Sequence, residues 1–248
     1  MAGIVVRDLE KTFLRRDGSA LPVLRHVNLE ARDREFICLL GPSGCGKSTT
    51  LNVLVGLVDP DGGEITVDGV RSYRKARYGY VFQRPRLLNW KTVRDNLAFA
   101  LECCGIPGNG WSGRIDRYLR LVGLESFADE YPHALSGGMQ QRVAIARALA
   151  VEPDILLMDE PFSSLDELTA RRLRTELLRI WSEESKTVLF VTHNALEAVY
   201  LADRIYLMTD RPASVFRKIT VDVPRPRDSE DPRLLALYKD IVVSLVGE

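Results

Sequence analysis

Residues 41–48 read Gly41-Pro42-Ser43-Gly44-Cys45-Gly46-Lys47-Ser48, and the flanks of this stretch decide the fold. Before it, Glu35 to Leu40 is an aliphatic, β-branched run that predicts a strand. After it, Leu51, Leu54, Val55 and Val58 recur at spacings of three and four, which predicts a helix over Ser48–Leu57. A strand feeding a glycine loop that opens a helix lets backbone N–H groups curl around phosphate, and the helix N-terminus adds a favourable field. Gly41 to Thr49 are therefore the expected phosphate-binding residues. Lys47 is expected to reach the β- and γ-phosphates of ATP, and the Ser48 hydroxyl to join the shell of a Mg²⁺ ion.

Outward from the loop, strands alternate with helices. Ile4–Leu9, Val23–Ala31 and Glu64–Val67 read as strands, and Tyr78–Phe82 is another that stops at Gln83. Further on, strands are expected at Ile155–Met158, Thr187–Val191 and Arg204–Met208, with helices at Leu168–Trp181 and Ala195–Ala202. Such alternation predicts an α/β fold with a mostly parallel sheet. Thr92 to about His133 has a helical pattern interrupted by Gly105–Gly110, and Gly137-Gly138 leads a helix to Ala150. The tail after Val221 holds Pro224, Pro226 and Pro232, then an amphipathic helix with Leu234, Leu235, Leu237 and Ile241. Residues 1–248 thus read as one domain. Its nucleotide-binding core is roughly 1–86 and 152–220, with a helical subdomain at roughly 87–151 and a tail at roughly 221–248.

Lys and Arg number 34 and Asp and Glu number 34, so no positive field over the whole chain advertises nucleic acid, which is not an expected partner. The arginines between Arg71 and Arg77, and Arg171, Arg172, Arg174 and Arg179, read as solvated faces. Cys38, Cys45, Cys103 and Cys104 have neither zinc-site spacing nor disulfide density. The chain opens Met1-Ala2-Gly3-Ile4 with no basic-then-apolar leader, and its apolar runs fall far short of the roughly 20 residues of a membrane span. A cytoplasmic protein that meets the membrane through a partner is the expectation.

Asp159 and Glu160 close the strand Ile155–Met158. Acids at the carboxyl end of a parallel strand face the ligand region of an open sheet, which suits Asp159 to Mg²⁺ and Glu160 to the attacking water. With Gln83 after a strand, Leu135-Ser136-Gly137-Gly138-Met139-Gln140-Gln141-Arg142, Ser164-Leu165-Asp166 and Thr192-His193, nearly the whole chain resembles the nucleotide-binding subunit of an ATP-binding-cassette (ABC) transporter. The resemblance implies a P-loop NTPase of ABC type, with an antiparallel β portion near the N-terminus and an inserted helical subdomain. It also implies two copies packed head to tail around two ATP molecules. Lys47, Ser48, Gln83, Asp159, Glu160 and His193 would come from one subunit, with Glu160, His193, Lys47 and Gln83 catalytic and Ser48, Gln83 and Asp159 on the metal. Ser136, Gly137 and Gly138 of the other copy would close over the γ-phosphate, and Asp166 would align the opposing site.

Phe13 matches the family's adenine-stacking position, with burial as a core aromatic the competing reading. The chain departs from many relatives in having Asn194 after the histidine and Leu196 where an acid is common. The segment Val81 to Asn96 and the tail Asp222-Val223-Pro224-Arg225-Pro226-Arg227 resemble ATPases of nitrate, taurine, alkanesulfonate and bicarbonate importers. Integral membrane permease subunits and a periplasmic or lipid-anchored solute-binding protein are the partners this implies, with the chain peripheral at the cytoplasmic face. Leu87, Leu88 and Trp90 are candidate permease contacts, with core packing of the helical insert as the alternative. Another small-molecule importer, or an exporter, remains open on these residues.

Overall fold

The computed structural model describes residues 3–71, 73–228 and 230–247; the opening Met1-Ala2 lies outside them, as do Ser72, Ser229 and Glu248. In chain order the elements are β1 (Ile4–Leu14), β2 (Ala20–Ala31), β3 (Phe36–Leu40), α1 (Lys47–Leu54), β4 (Gly62–Val67), β5 (Tyr78–Val81), α2 (Val93–Cys103) and α3 (Trp111–Leu121). They continue with α4 (Gly137–Ala150), β6 (Ile155–Asp159), α5 (Glu167–Glu184), β7 (Thr187–Thr192), α6 (Ala195–Leu201), β8 (Arg204–Met208), β9 (Val215–Thr220) and α7 (Pro232–Val246). They fall into two compact units, Met1–Ala76 with Thr187–Glu248, and Arg77–Lys186.

In the first unit β3 lies between β7 and β8, parallel to both, with Leu40 level with Thr192 on one side and Leu207 on the other. Phe36 to Leu40 and Val188 to Val191 are wholly buried. That is why the sequence there is continuously apolar rather than alternating. β9 pairs antiparallel with β8. A separate antiparallel sheet has the order β2-β1-β4. The mixed α/β architecture, parallel-rich with an antiparallel N-terminal sheet, is the one expected. β9 was not foreseen, because Arg217 and Lys218 break its apolar pattern; an edge strand tolerates such charge. β1 and β2 run on to Leu14 and from Ala20, where the hairpin is held by Asp17, whose carboxylate accepts from the N–H and hydroxyl of Ser19. These arms are half-buried to exposed, with no residue fully buried, so no buried face marked them in the sequence.

The second unit pairs β5 with β6 in parallel, Val81 level with Met158. Its helices bury Leu97 and Leu101 of α2, Ile115 and Leu119 of α3, and Val143, Ala146 and Leu149 of α4.

The proline-rich tail is an integral part of the first unit. Arg227 is 6% exposed and donates to the carbonyls of Val199, Tyr200 and Ala202 at the end of α6, and to those of Val221 and Val223. Burial pushes its guanidinium down to about 10, so the carbonyls hold a charge that water no longer solvates. Those of Val199, Tyr200 and Ala202 are also groups that a helix C-terminus leaves without partners. Arg227→Met should therefore lower stability by about 2–4 kcal/mol by stripping several buried carbonyls at once, seen as a lower urea midpoint at unchanged m-value.

Candidate functional site

In the first unit the loop after β3 carries Gly41–Ser48. Lys47 is 3% exposed, and its ammonium donates to the carbonyls of Gly41 at 2.9 Å and Pro42 at 2.7 Å. A buried ammonium requires such oxygens. Gly46, with φ +136, turns the chain into α1, and a Cβ there would lie 2.8 Å from Leu24. Ser48 is exposed at the first turn of the helix, while Cys45 is buried and its thiol is pushed up by burial. This thiol is a packed small residue rather than a reactive one.

Because Leu40 pairs level with Thr192, His193 leaves β7 beside the point where Gly41 leaves β3. The turn that presents it is fully tied. The Thr192 hydroxyl donates to Glu197 at 2.6 Å and accepts from the Asn194 N–H at 3.0 Å. Asn194 caps α6, its side chain accepting from Leu196 and Glu197 N–H groups. An N-cap needs an oxygen rather than a charge, so Asn in place of Asp retains the turn. The Leu196 side chain is exposed; its backbone N–H is what the cap uses. Phe13 is half-buried on β1, with the Lys11 ammonium 5.4 Å from its ring centre.

In the second unit, the β5–β6 pairing sets Gln83, just past β5, and Asp159-Glu160 at the same end of neighbouring strands. The Gln83 amide donates to the Ser163 hydroxyl at 3.0 Å, which donates to the Glu160 carbonyl at 2.9 Å. Tyr80 donates to the Asp159 carboxylate at 3.4 Å. Burial, with the nearby Asp159 charge, raises its phenol well above the usual range. Glu160 sits at φ +43, a left-handed conformation costly for a residue with a Cβ. Tyr80, Ser163 and Glu197 were not singled out from sequence; only their placement beside Asp159, Gln83 and Thr192 reveals their use.

Ser136 caps α4, its side chain accepting from the Met139 N–H, and Gly137 and Gly138 form the first turn. Asp166 caps α5 in the same way, accepting from Thr169, and this bonding holds its carboxyl below the usual range. Among the described residues, no group of three or more His, Cys, Asp or Glu could hold a metal ion. Ser48 in the first unit, and Gln83 and Asp159 in the second, each carry a hard oxygen donor of the kind Mg²⁺ takes.

The ABC transporter family profile matches residues 24–163. The chain is similar to a nitrate import ATP-binding protein of Synechocystis sp., at 42% identity over 92% of this chain and 85% of that protein. It is also similar to an aliphatic sulfonates import ATP-binding protein of Burkholderia cenocepacia, at 44% identity over 95% and 86%. Among solved structures, it resembles a dimeric, post-hydrolysis state of an ATP-binding cassette bound to ADP and Pi. That likeness has a TM-score of 0.75 and 32% identity, and covers 89% of this chain and 100% of the other.

The two glycines of the α4 first turn differ. A Cβ on Gly138 would stand 3.0 Å from the Thr169 methyl, whereas one on Gly137 would meet only Leu165 at an ordinary 3.6 Å. Gly138→Ala should therefore be less stable than Gly137→Ala by about 1–2 kcal/mol, measured by paired denaturation curves; equal stabilities would refute the packing difference.

Proposed function

This chain belongs to the ABC transporter family, and on that premise we propose that it binds and hydrolyses ATP to energise an importer of a small anion such as nitrate, taurine, an alkanesulfonate or bicarbonate. The observation that carries the nucleotide reading is the buried Lys47 ammonium, ordered on two carbonyls of its own loop and ready to exchange them for phosphate oxygens. Similarity to nitrate and sulfonate import proteins supports import and a small anion.

In this reading Gly41 to Thr49 wrap the phosphates and Phe13 stacks on adenine. Ser48 and Asp159, with Gln83 nearby, would hold a Mg²⁺ ion, which would supply neutralisation of phosphate charge. Glu160 orients the attacking water and takes its proton as the bond from that water to the γ-phosphorus forms and the bond to the β,γ-bridging oxygen breaks, leaving ADP and phosphate. His193 meets the γ-phosphate and stabilises the charge that develops there. Ser136, Gly137 and Gly138 of a second copy, packed head to tail, close over the same phosphate, and Asp166 aligns the opposing site. The dimeric neighbour supports this assembly.

Coupling to transport uses a groove of about 340 Å³ in the second unit, lined by Tyr78, Phe82, Leu88, Phe99 and Cys103. Its apolar lining suits a short cytoplasmic segment of a permease subunit. Trp90, 74% exposed, is a further apolar contact, and core packing does not account for it. Among the described residues no helix is long and apolar enough to cross a membrane. In this reading, supported by the likeness to import ATP-binding proteins, the chain sits peripherally on permease subunits at the cytoplasmic face, with a solute-binding protein across the membrane.

Glu160→Gln should bind ATP and accumulate as a closed dimer, yet hydrolyse it at least ~10²-fold more slowly; undiminished turnover would remove Glu160 from this role. Uptake of nitrate, taurine, alkanesulfonates and bicarbonate, compared between wild type and Glu160→Gln cells, tests the transport reading. Loss of one solute names the substrate, and unchanged uptake of all four argues for another importer or an exporter. Trp90→Ala should impair transport more than ATPase of the isolated subunit, and equal losses would reject the contact.

A further inference from the structure

The loop after β5 is fastened to α4 at three backbone carbonyls. Arg147 donates through its two terminal nitrogens to the carbonyls of Pro85 and Arg86, each at 2.9 Å. One turn and a half earlier on the same helix, Gln141, 2% exposed, reaches the Phe82 carbonyl at 3.5 Å. The loop is also folded on itself. Arg86 sits at φ +46, and its guanidinium lies 4.4 Å from the centre of the Phe82 ring. Its far end is held by Asn96, wholly buried, which accepts from the Leu88 N–H and donates to the Leu88 carbonyl.

Gln83, Arg84 and Arg86 are exposed, and the bond at the Arg86 carbonyl is exposed while that at Pro85 is half-buried, so the carbonyls of this loop are not cut off from water. Committing a largely desolvated guanidinium to two of them, at the expense of a lowered pKa, fixes position rather than merely filling acceptors. The planar fork of arginine is suited to two acceptors on adjoining peptides, a geometry that the point charge of lysine does not reproduce. Ser136 caps the other end of α4, about 16 Å away at 1.5 Å per residue, and a continuous helix carries displacement over that length.

We propose that Arg147 is a positioning residue that makes the Gln83 loop and the Ser136–Gly138 turn move as one piece. Closure over nucleotide then shifts the loop, and a permease segment in the adjoining groove, which Arg147 and Arg86 also line, acts back on the turn. The dynamic part rests on the proposed closure of Ser136–Gly138 over the nucleotide of a second copy; the fastening itself does not.

Hydrogen exchange of the full chain, read by mass spectrometry, tests this with Arg147→Lys and Arg147→Met. Without nucleotide, amides of residues 82–88 should exchange about tenfold faster in either variant, the factor expected from losing charge-assisted bonds, while β3 and β7 remain as protected as before. In a Glu160→Gln background, Mg-ATP should slow exchange at both 136–141 and 82–88. Adding Arg147→Lys should leave the first response and abolish the second. Unchanged exchange at 82–88 without nucleotide would overturn the fastening. A nucleotide response at 82–88 that survives Arg147→Lys would overturn the linkage. No response at 136–141 in the Glu160→Gln protein itself would tell against closure of the dimer, with the nucleotide-free comparison still deciding the fastening. Should Arg147→Met fail to fold, Arg147→Lys decides alone.

Discussion

A lysine ammonium taken out of water must find oxygen. Lys47 meets that requirement within its own loop, on the carbonyls of Gly41 and Pro42, and much of the first unit follows from it. The loop has to curl tightly enough for residues five and six positions back to reach the side chain. β3 must deliver Gly41 to a fixed place, and its burial between β7 and β8 does so. The same pairing brings His193 alongside, because a parallel register sets both chain exits at one level. An unpartnered buried charge would be several kcal/mol unfavourable, so the carbonyls hold the ligand-free loop in a form whose cation an incoming phosphate can take over.

The second unit presents acids rather than a cation and needs a different support. Glu160 occupies a left-handed conformation that costs about 1–2 kcal/mol for an L-residue. The turn that follows sustains it: the Ser163 N–H and hydroxyl both donate to the Glu160 carbonyl, and Phe162 is buried at 2% exposure. Gln83 joins through the same hydroxyl. A single serine thus couples the strand end that carries the acid to the loop that carries the amide. The strain is local and is held by neighbours that do no chemistry of their own.

The sequence made the parallel core and the phosphate loop readable because both rest on local patterns. Phe36 to Leu40 is apolar on every residue, and the glycines lie at fixed offsets from the lysine. Elements whose character depends on neighbours were harder to see. β9 has two charged residues and becomes a strand only by lying against β8. The β1–β2 arms beyond Leu9 are half-buried to exposed and have no buried face to mark them. Among the candidate residues, those with a motif were named in advance. Tyr80, Ser163 and Arg147 act by touching something distant in sequence, and no spacing rule exposes such contacts. Asn194 was legible as a departure from relatives, but its use as the cap of α6 required the bonded turn.

Two helix N-termini in the chain are suited to phosphate, and their difference bears on reversibility. α1 starts with Lys47, a full charge held close to the loop. α4 starts with Ser136, Gly137 and Gly138 and has no acid in its first turn, so it offers neutral donors alone. The cap at Ser136 uses a hydroxyl lone pair to accept from Met139 and leaves the O–H proton to donate outward. Neutral hydrogen bonds contribute about 0.5–1.5 kcal/mol each, several-fold below what a buried ion pair can command. In the proposed dimer, the charged end would retain nucleotide after cleavage, whereas the neutral end would hold only while a γ-phosphate remained to accept its bonds. In that dimer the asymmetry would let loss of one phosphoryl group open the assembly without first expelling the nucleotide.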